Sequence, residues 1–217
     1  FTTKELGFET LEYNSVAAQM CRGKSERTVA FAMSSVAATL AKFSMDVCLY
    51  MSQNFDFITL PSHLTTGSSI MPHKKNPDVF ELIRGKCNKI QALPYEITLI
   101  TNNLPSGYHR DLQLLKEGLF PAIQNLKACL DIALFSIKDI KVKEHILDDK
   151  KYDYLFTVDS LNEMVVAGMP FRDAYKAVAE QLENGTFQSP KETKHTHEGS
   201  IKNLCLDAIK EKMRASF

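Results

Sequence analysis

Tryptophan is missing from this chain of 217 residues, and neither sign of charge is in excess, since 26 lysines and arginines meet 26 aspartates and glutamates. With no global field there is nothing to draw a polyanion or an anionic membrane, so nucleic acid and membrane are set aside as partners and any anion site has to be local. No apolar run approaches the roughly 20 residues that span a bilayer, and no signal-peptide pattern opens the chain. Alternating strand patterns are absent as well, which points away from β architecture. The five cysteines (Cys21, Cys48, Cys87, Cys129, Cys205) are odd in number and widely spaced. That argues against a disulfide framework and for buried free thiols, with a cytoplasmic location as the expectation.

What is present is helical period. From Ser25 to about Asn54, the positions Val29, Met33, Val36, Leu40, Phe43, Val47 and Tyr50 step by four and three, as in long helices packed at a shallow angle. A second pattern starts at Pro77 and runs through Val79, Ile83, Lys86, Ile90, Leu93, Ile97 and Ile100, with a kink expected at Pro94. After the turn chemistry of NNLPSG, a third pattern runs from Asp111 to Ile137 through Leu112, Leu115, Leu119, Ile123, Leu126, Leu130, Ala133 and Ile137. Three such rods joined by polar loops predict an all-α, long-helix bundle over residues 1–141, preceded by an opening turn and a short helix.

The charged run KDIKVKEHILDDKK marks a boundary to a small helical domain, 142–217. Helices are expected there from Tyr152 to Ala167, closed by Gly168, and from Pro170 to Asn184, closed by Gly185. A polar loop over 186–197 and a terminal helix from Glu198 to Met213 complete the reading.

Between the first two rods lies TTGSSIMPHKKNPDVFE, residues 65–81. Gly67, Ser68 and Ser69 make a small, permissive start, Pro72 and Pro77 stiffen the far end, and Lys74, Lys75 and Asn76 place two cations and an amide between them. Such a loop can turn consecutive N–H groups inward and close over an anion. Asn76 followed by Pro77 reads as a helix cap and first turn, so the loop ends on the positive pole of a helix. Isolated serines and lysines in loops are ordinarily turn residues and solvated charges; their combination here is what singles out the segment. A phosphate loop is excluded, because the second glycine is missing, a proline sits mid-loop and no strand precedes it. His195, His197 and Glu198 invite a metal reading, but histidines two apart do not share a helix face and no second ligand pair is apparent.

GSSIMPHKKNP closely resembles the signature loop of the fumarase, aspartase and argininosuccinate lyase superfamily, GSSxMPxKxN. Within it, MPHKKNPD and LPSGYHRDLQLLKE are most similar to the argininosuccinate lyase branch, and the resemblance extends from NSVAAQMCRGKSER to VAGMPFRDAYKAV. It covers about the C-terminal half of such an enzyme. Together with an opening residue, Phe1, that is not methionine, this leads to the expectation of a C-terminal portion. Two positions depart from the branch: His73 stands where glutamine is usual, and Ser25–Arg27 reads SER in place of SDR.

The resemblance implies a fumarase/aspartase-like central domain and β-elimination of argininosuccinate to arginine and fumarate, with no metal or organic cofactor, in a cytoplasmic homotetramer. It implies that Ser68 removes the proton beside a carboxylate, and that Lys74 and Asn76 bind that carboxylate and stabilise the aci-carboxylate intermediate. By the same likeness Glu81 orients a histidine from the N-terminal half, Ser69 contacts substrate within the loop, and Tyr108, Gln113 and Lys116 hold the remainder of the substrate. Since family sites are assembled from several subunits, the span alone is expected to be inactive. The alternatives are another fumarate-releasing lyase of the superfamily, acting on adenylosuccinate, aspartate or malate, or a non-catalytic structural protein on the same fold.

Overall fold

The structure, a computed structural model, describes residues 1–216. Two compact units form, the first from Phe1 to Lys143 and the second from Glu144 onward.

The first unit is a helical rod. Two short helices, α1 (Thr2–Glu5) and α2 (Ser15–Met20), lead into α3 (Lys24–Tyr50), 27 residues long. At ~1.5 Å per residue, α3 runs roughly 40 Å. Asn14 caps α2 by accepting from the N–H groups of Val16 and Ala17, both at 3.0 Å. At the start of α3 the Glu26 carboxylate accepts the Gly23 N–H at 2.8 Å, satisfying a donor that the helix cannot use. Next come α4 (Asp78–Gln91), α5 (Leu93–Thr101) and α6 (Leu115–Ile137). The kink expected at Pro94 takes the form of a break at Ala92, which leaves Pro94 in the first turn of α5, where its missing N–H costs nothing.

The register of the first rod differs from the sequence expectation. Val29, Val36 and Tyr50 are exposed, and the inward stripe is Ala30, Met33, Ala37, Ala41, Ser44 and Val47. Small side chains on that stripe let the α4 backbone approach closely, so Phe80, Ile83, Cys87 and Ile90 pack into the alanine face. Phe43 and Phe80 meet edge to face with centroids 6.0 Å apart. Burial of a Phe or Ile of this kind contributes on the order of 1.5–3 kcal/mol. Lys86, which the period placed in the seam, is exposed, and Cys87 occupies the buried position beside it. On α6 the seam uses Leu115, Leu119, Leu126 and Ala133 as expected, while Leu130 and Ile137 face outward.

Two further expectations are corrected. Strand is not wholly absent: β1 (Ile58–Thr59) pairs antiparallel with β2 (Lys141–Val142), a ladder too short to leave a period in sequence. By length and composition, the stretches Ser15–Tyr50 and Arg110–Ile137 are apolar enough to cross a membrane. Their inward faces pack against the other helices of the unit, as those of core helices do.

Among the described residues the second unit has three α-helices, α7 (Thr157–Val166), α8 (Phe171–Glu183) and α9 (Leu206–Arg214), and a small core of Leu161, Ala174 and Val178. Gly168 and Gly185, at φ 101° and 65°, follow α7 and α8 as the punctuation predicted. The terminal helix, however, begins at Leu206 and not at Glu198, because Gly199 and Cys205 adopt positive φ and a tight turn pairs Ser200 with Asn203. The 186–197 segment is tied down by ion pairs from Lys191 to Asp153 (3.1 Å) and from Lys194 to Glu163 (2.8 Å).

Candidate active site

The signature loop is fastened at its neck. Thr66 and Asn76 exchange backbone hydrogen bonds, the Asn76 N–H donating to the Thr66 carbonyl at 2.8 Å and the Thr66 N–H to the Asn76 carbonyl at 3.2 Å. The Thr66 N–H also reaches the Asp78 carboxylate at 2.9 Å, and the Asn76 amide donates to the Gly67 carbonyl at 3.4 Å. Asn76 is therefore not the helix cap that the sequence suggested. Its side chain holds the neck, and the Pro77 carbonyl accepts the first N–H groups of α4, from Phe80 and Glu81 at 2.9 and 3.0 Å. Beneath the neck, Leu64 is buried and anchors the near strand of the loop.

Inside the loop the chain folds around Ser68. Its Oγ accepts the N–H groups of Ile70 at 3.2 Å and Met71 at 3.1 Å. Two amide donors on one hydroxyl oxygen favour negative charge there. The tip is open: Ile70 is 86% exposed, and Ser69 and Lys74 are exposed too.

A cavity of about 660 Å³ lies between the loop and the end of α3. Lys74, Lys75, Asn76 and Glu81 form one side, and Cys48 and Asp56 lie on the other. The Lys74 ammonium makes no ion pair among the described residues, whereas the Asp56 carboxylate is paired with Lys143. Burial pushes the Cys48 thiol up, against the opposing pull of the Arg84 guanidinium. Cationic side chains and the positive start of a 14-residue helix thus share a concave, half-open space. Ser68 and Ser69 belong to the loop but do not line this cavity.

Tyr108, Gln113 and Lys116 are elsewhere. They follow α5, and α4 with α5 measures roughly 35 Å at ~1.5 Å per residue. The Gln113 amide donates to the Tyr108 hydroxyl at 2.9 Å, and the Arg22 guanidinium lies 5.2 Å from the Tyr108 ring centroid. Lys116 is exposed on the first turn of α6. Gly23 makes this end compact: a Cβ added to it would lie 2.2 Å from Thr101 Cγ2. One chain thus brings Lys74, Asn76 and Glu81 together and leaves the Tyr108 group at the far end of the rod. Arg22, Asp56 and Lys143 went unrecognised as site neighbours in the sequence, since each acts through a contact between distant segments.

The histidines near 195 have partners of their own. His195 Nε2 lies 2.9 Å from an Asp159 oxygen, and its ring meets His197 edge to face. Among the described residues no group of three His, Cys, Asp or Glu side chains could hold a metal ion.

The profile of a lyase family matches residues 1–92. Argininosuccinate lyase of Parabacteroides distasonis is 60% identical over 214 residues, which is 99% of this chain and 48% of that enzyme. The chain is homologous to argininosuccinate lyase. Like its other curated relatives, that lyase is about twice as long as the span in hand. The fold agrees at much lower identity. A fumarate lyase:delta crystallin from Brucella melitensis superposes with a TM-score of 0.68 at 20% identity, over 84% of this chain and 42% of that one. A class II fumarase from Schistosoma mansoni gives 0.65 at 18%, over 85% and 40%. In this argininosuccinate lyase homologue the long helices are the frame, and the 65–77 loop is seated where two of them meet.

Proposed function

We propose that this sequence supplies the lid and part of the substrate contacts of an enzyme that eliminates arginine from argininosuccinate, releasing fumarate. Ser68 takes the proton from the carbon beside a carboxylate. The electron pair left behind spreads into that carboxylate as an aci-carboxylate, which Lys74 and Asn76 hold, with Ser69 binding alongside. The C–N bond then breaks, its electrons go to the departing guanidino nitrogen, and an acid supplied from outside this span protonates it. Glu81 orients that acid. No metal or organic cofactor enters the scheme.

The observation that carries this reading is the pair of N–H groups aimed at Ser68 Oγ. A serine is a poor base because its alkoxide is costly; two backbone donors, a nearby ammonium and exclusion of water lower that cost. The loop tip is exposed and Ser68 does not line the cavity, so on this reading closure has to carry Ser68 and Lys74 onto one substrate. The separation of the Tyr108 group from the loop supports a site built from different subunits, and with it a homotetramer in the cytoplasm as the working assembly. Residues 1–217 by themselves are then inactive or nearly so.

The test uses an intact lyase carrying this sequence. Ser68→Ala is expected to abolish fumarate formation while argininosuccinate still binds, as followed by calorimetry. Full turnover in that variant would sink the mechanism. His73, which faces the cavity where glutamine is usual, favours one further comparison: product formation from argininosuccinate against adenylosuccinate, aspartate and malate.

A further inference from the structure

The cavity that is to receive a dicarboxylate contains a carboxylate where one is least welcome. Asp56 lines it opposite Lys74 and Lys75. The backbone explains its presence. Residue 56 adopts φ 52°, a left-handed turn that Asp and Asn tolerate better than other side chains do, and it lets the rings of Tyr50, Phe55 and Phe57 pack together. The turn thereby brings a negative charge to the wall of an anion site.

The structure assigns Lys143 the task of cancelling that charge. The β1/β2 ladder delivers it: the Lys143 N–H donates to the Phe57 carbonyl at 2.9 Å, just past the paired Ile58 and Val142. From there its ammonium reaches the Asp56 carboxylate. Lys143 is not on the cavity wall, and it acts on substrate through Asp56. It is a positioning residue for charge: with the pair intact, the wall is neutral at residue 56, and Glu81 is the one lining carboxylate, among the described residues, left to oppose the lysines and the helix pole. Both side chains are partly exposed, 40% and 53%, so solvent and salt screen the effect.

This inference rests on the dicarboxylate reading above, and the experiment separates the two. In the intact lyase, Lys143→Met is expected to raise KM about three- to tenfold at low salt with kcat within about twofold, the gap narrowing as salt is added. Lys143→Arg should keep the original KM. Asp56→Asn, which preserves the turn, should leave KM unchanged or lower it, and the double variant D56N/K143M should return KM to within about twofold of the starting value. A double variant as impaired as K143M, or a K143M enzyme with unchanged KM, overturns the assignment. If the unsubstituted enzyme releases no fumarate, the proposed function fails on its own. Calorimetric binding of fumarate across the same four variants then decides the charge argument by the same ordering.

Discussion

The two ends of the long-helix rod are built by opposite rules. At the α4 end, the signature loop is pinned at its neck and open at its tip, with Lys74 and Lys75 making no ion pair among the described residues and a wide cavity beside them. At the α5 end, Gly23 is buried against Thr101, Arg22 covers Tyr108 and Gln113 is bonded to the Tyr108 hydroxyl, so the groups are already in place. The difference teaches that a single rod can carry an open, neck-pinned loop at one end and a packed, hydrogen-bonded cluster at the other. Under the proposed function, stability is concentrated where binding geometry must not change, and freedom where closure is needed.

The largest effect that would expose this contrast is on turnover at the lid. Ser68→Ala should lower kcat by about a thousandfold in the intact enzyme with no change in the thermal midpoint, because the loop contributes little buried surface. A concurrent fall in melting temperature would show that the loop is part of the rod's stability.

Gly23→Ala should do the reverse. Its φ of 83° and the clash with Thr101 Cγ2 together predict a loss of about 2–4 kcal/mol, read from a denaturant midpoint. A stability loss of less than about 0.5 kcal/mol would mean that the fixed end is looser than it looks.

Between the ends, the rod carries a pH signature. Burial, and then the neighbouring Cys129 thiol, push the Cys87 thiol from 9.0 up to about 12. A raised thiol pKa means that the folded state holds its proton longer. The associated stability is present below about pH 9 and is lost as pH rises toward about 12. Denaturant midpoints measured across that window should fall, and Cys87→Ala should flatten the fall. A slope unchanged by the substitution would place its source elsewhere.

The smallest effect expected is at the fixed wall. Tyr108→Phe removes one hydrogen bond and should raise KM about two- to tenfold with kcat nearly constant. A large fall in kcat would make that end a participant in chemistry.

How far the sequence revealed this depended on the range of the interaction. The loop was legible because its glycine, prolines and lysines act locally, and the helices because their period is a local property too. The register of α3 was not. Val29 and Ala30 sit on adjacent stripes, and only the helices packed against α3 decide that the smaller residue turns inward. Asn76 was assigned to the helix start because its spacing fits a cap, but Thr66 and Gly67 compete for it from across the neck. Asp56 and Lys143 are 87 residues apart and joined by a two-residue ladder, which leaves no pattern for a reader of sequence to find.

The fastening between Thr66 and Asn76 bears on what it costs to shut the site. A flap buttoned at its collar swings as a stiff panel, and the disorder it gives up on closing is that of two hinge points and not of every residue in the segment. More of the attraction between substrate and panel is then left over for the chemistry.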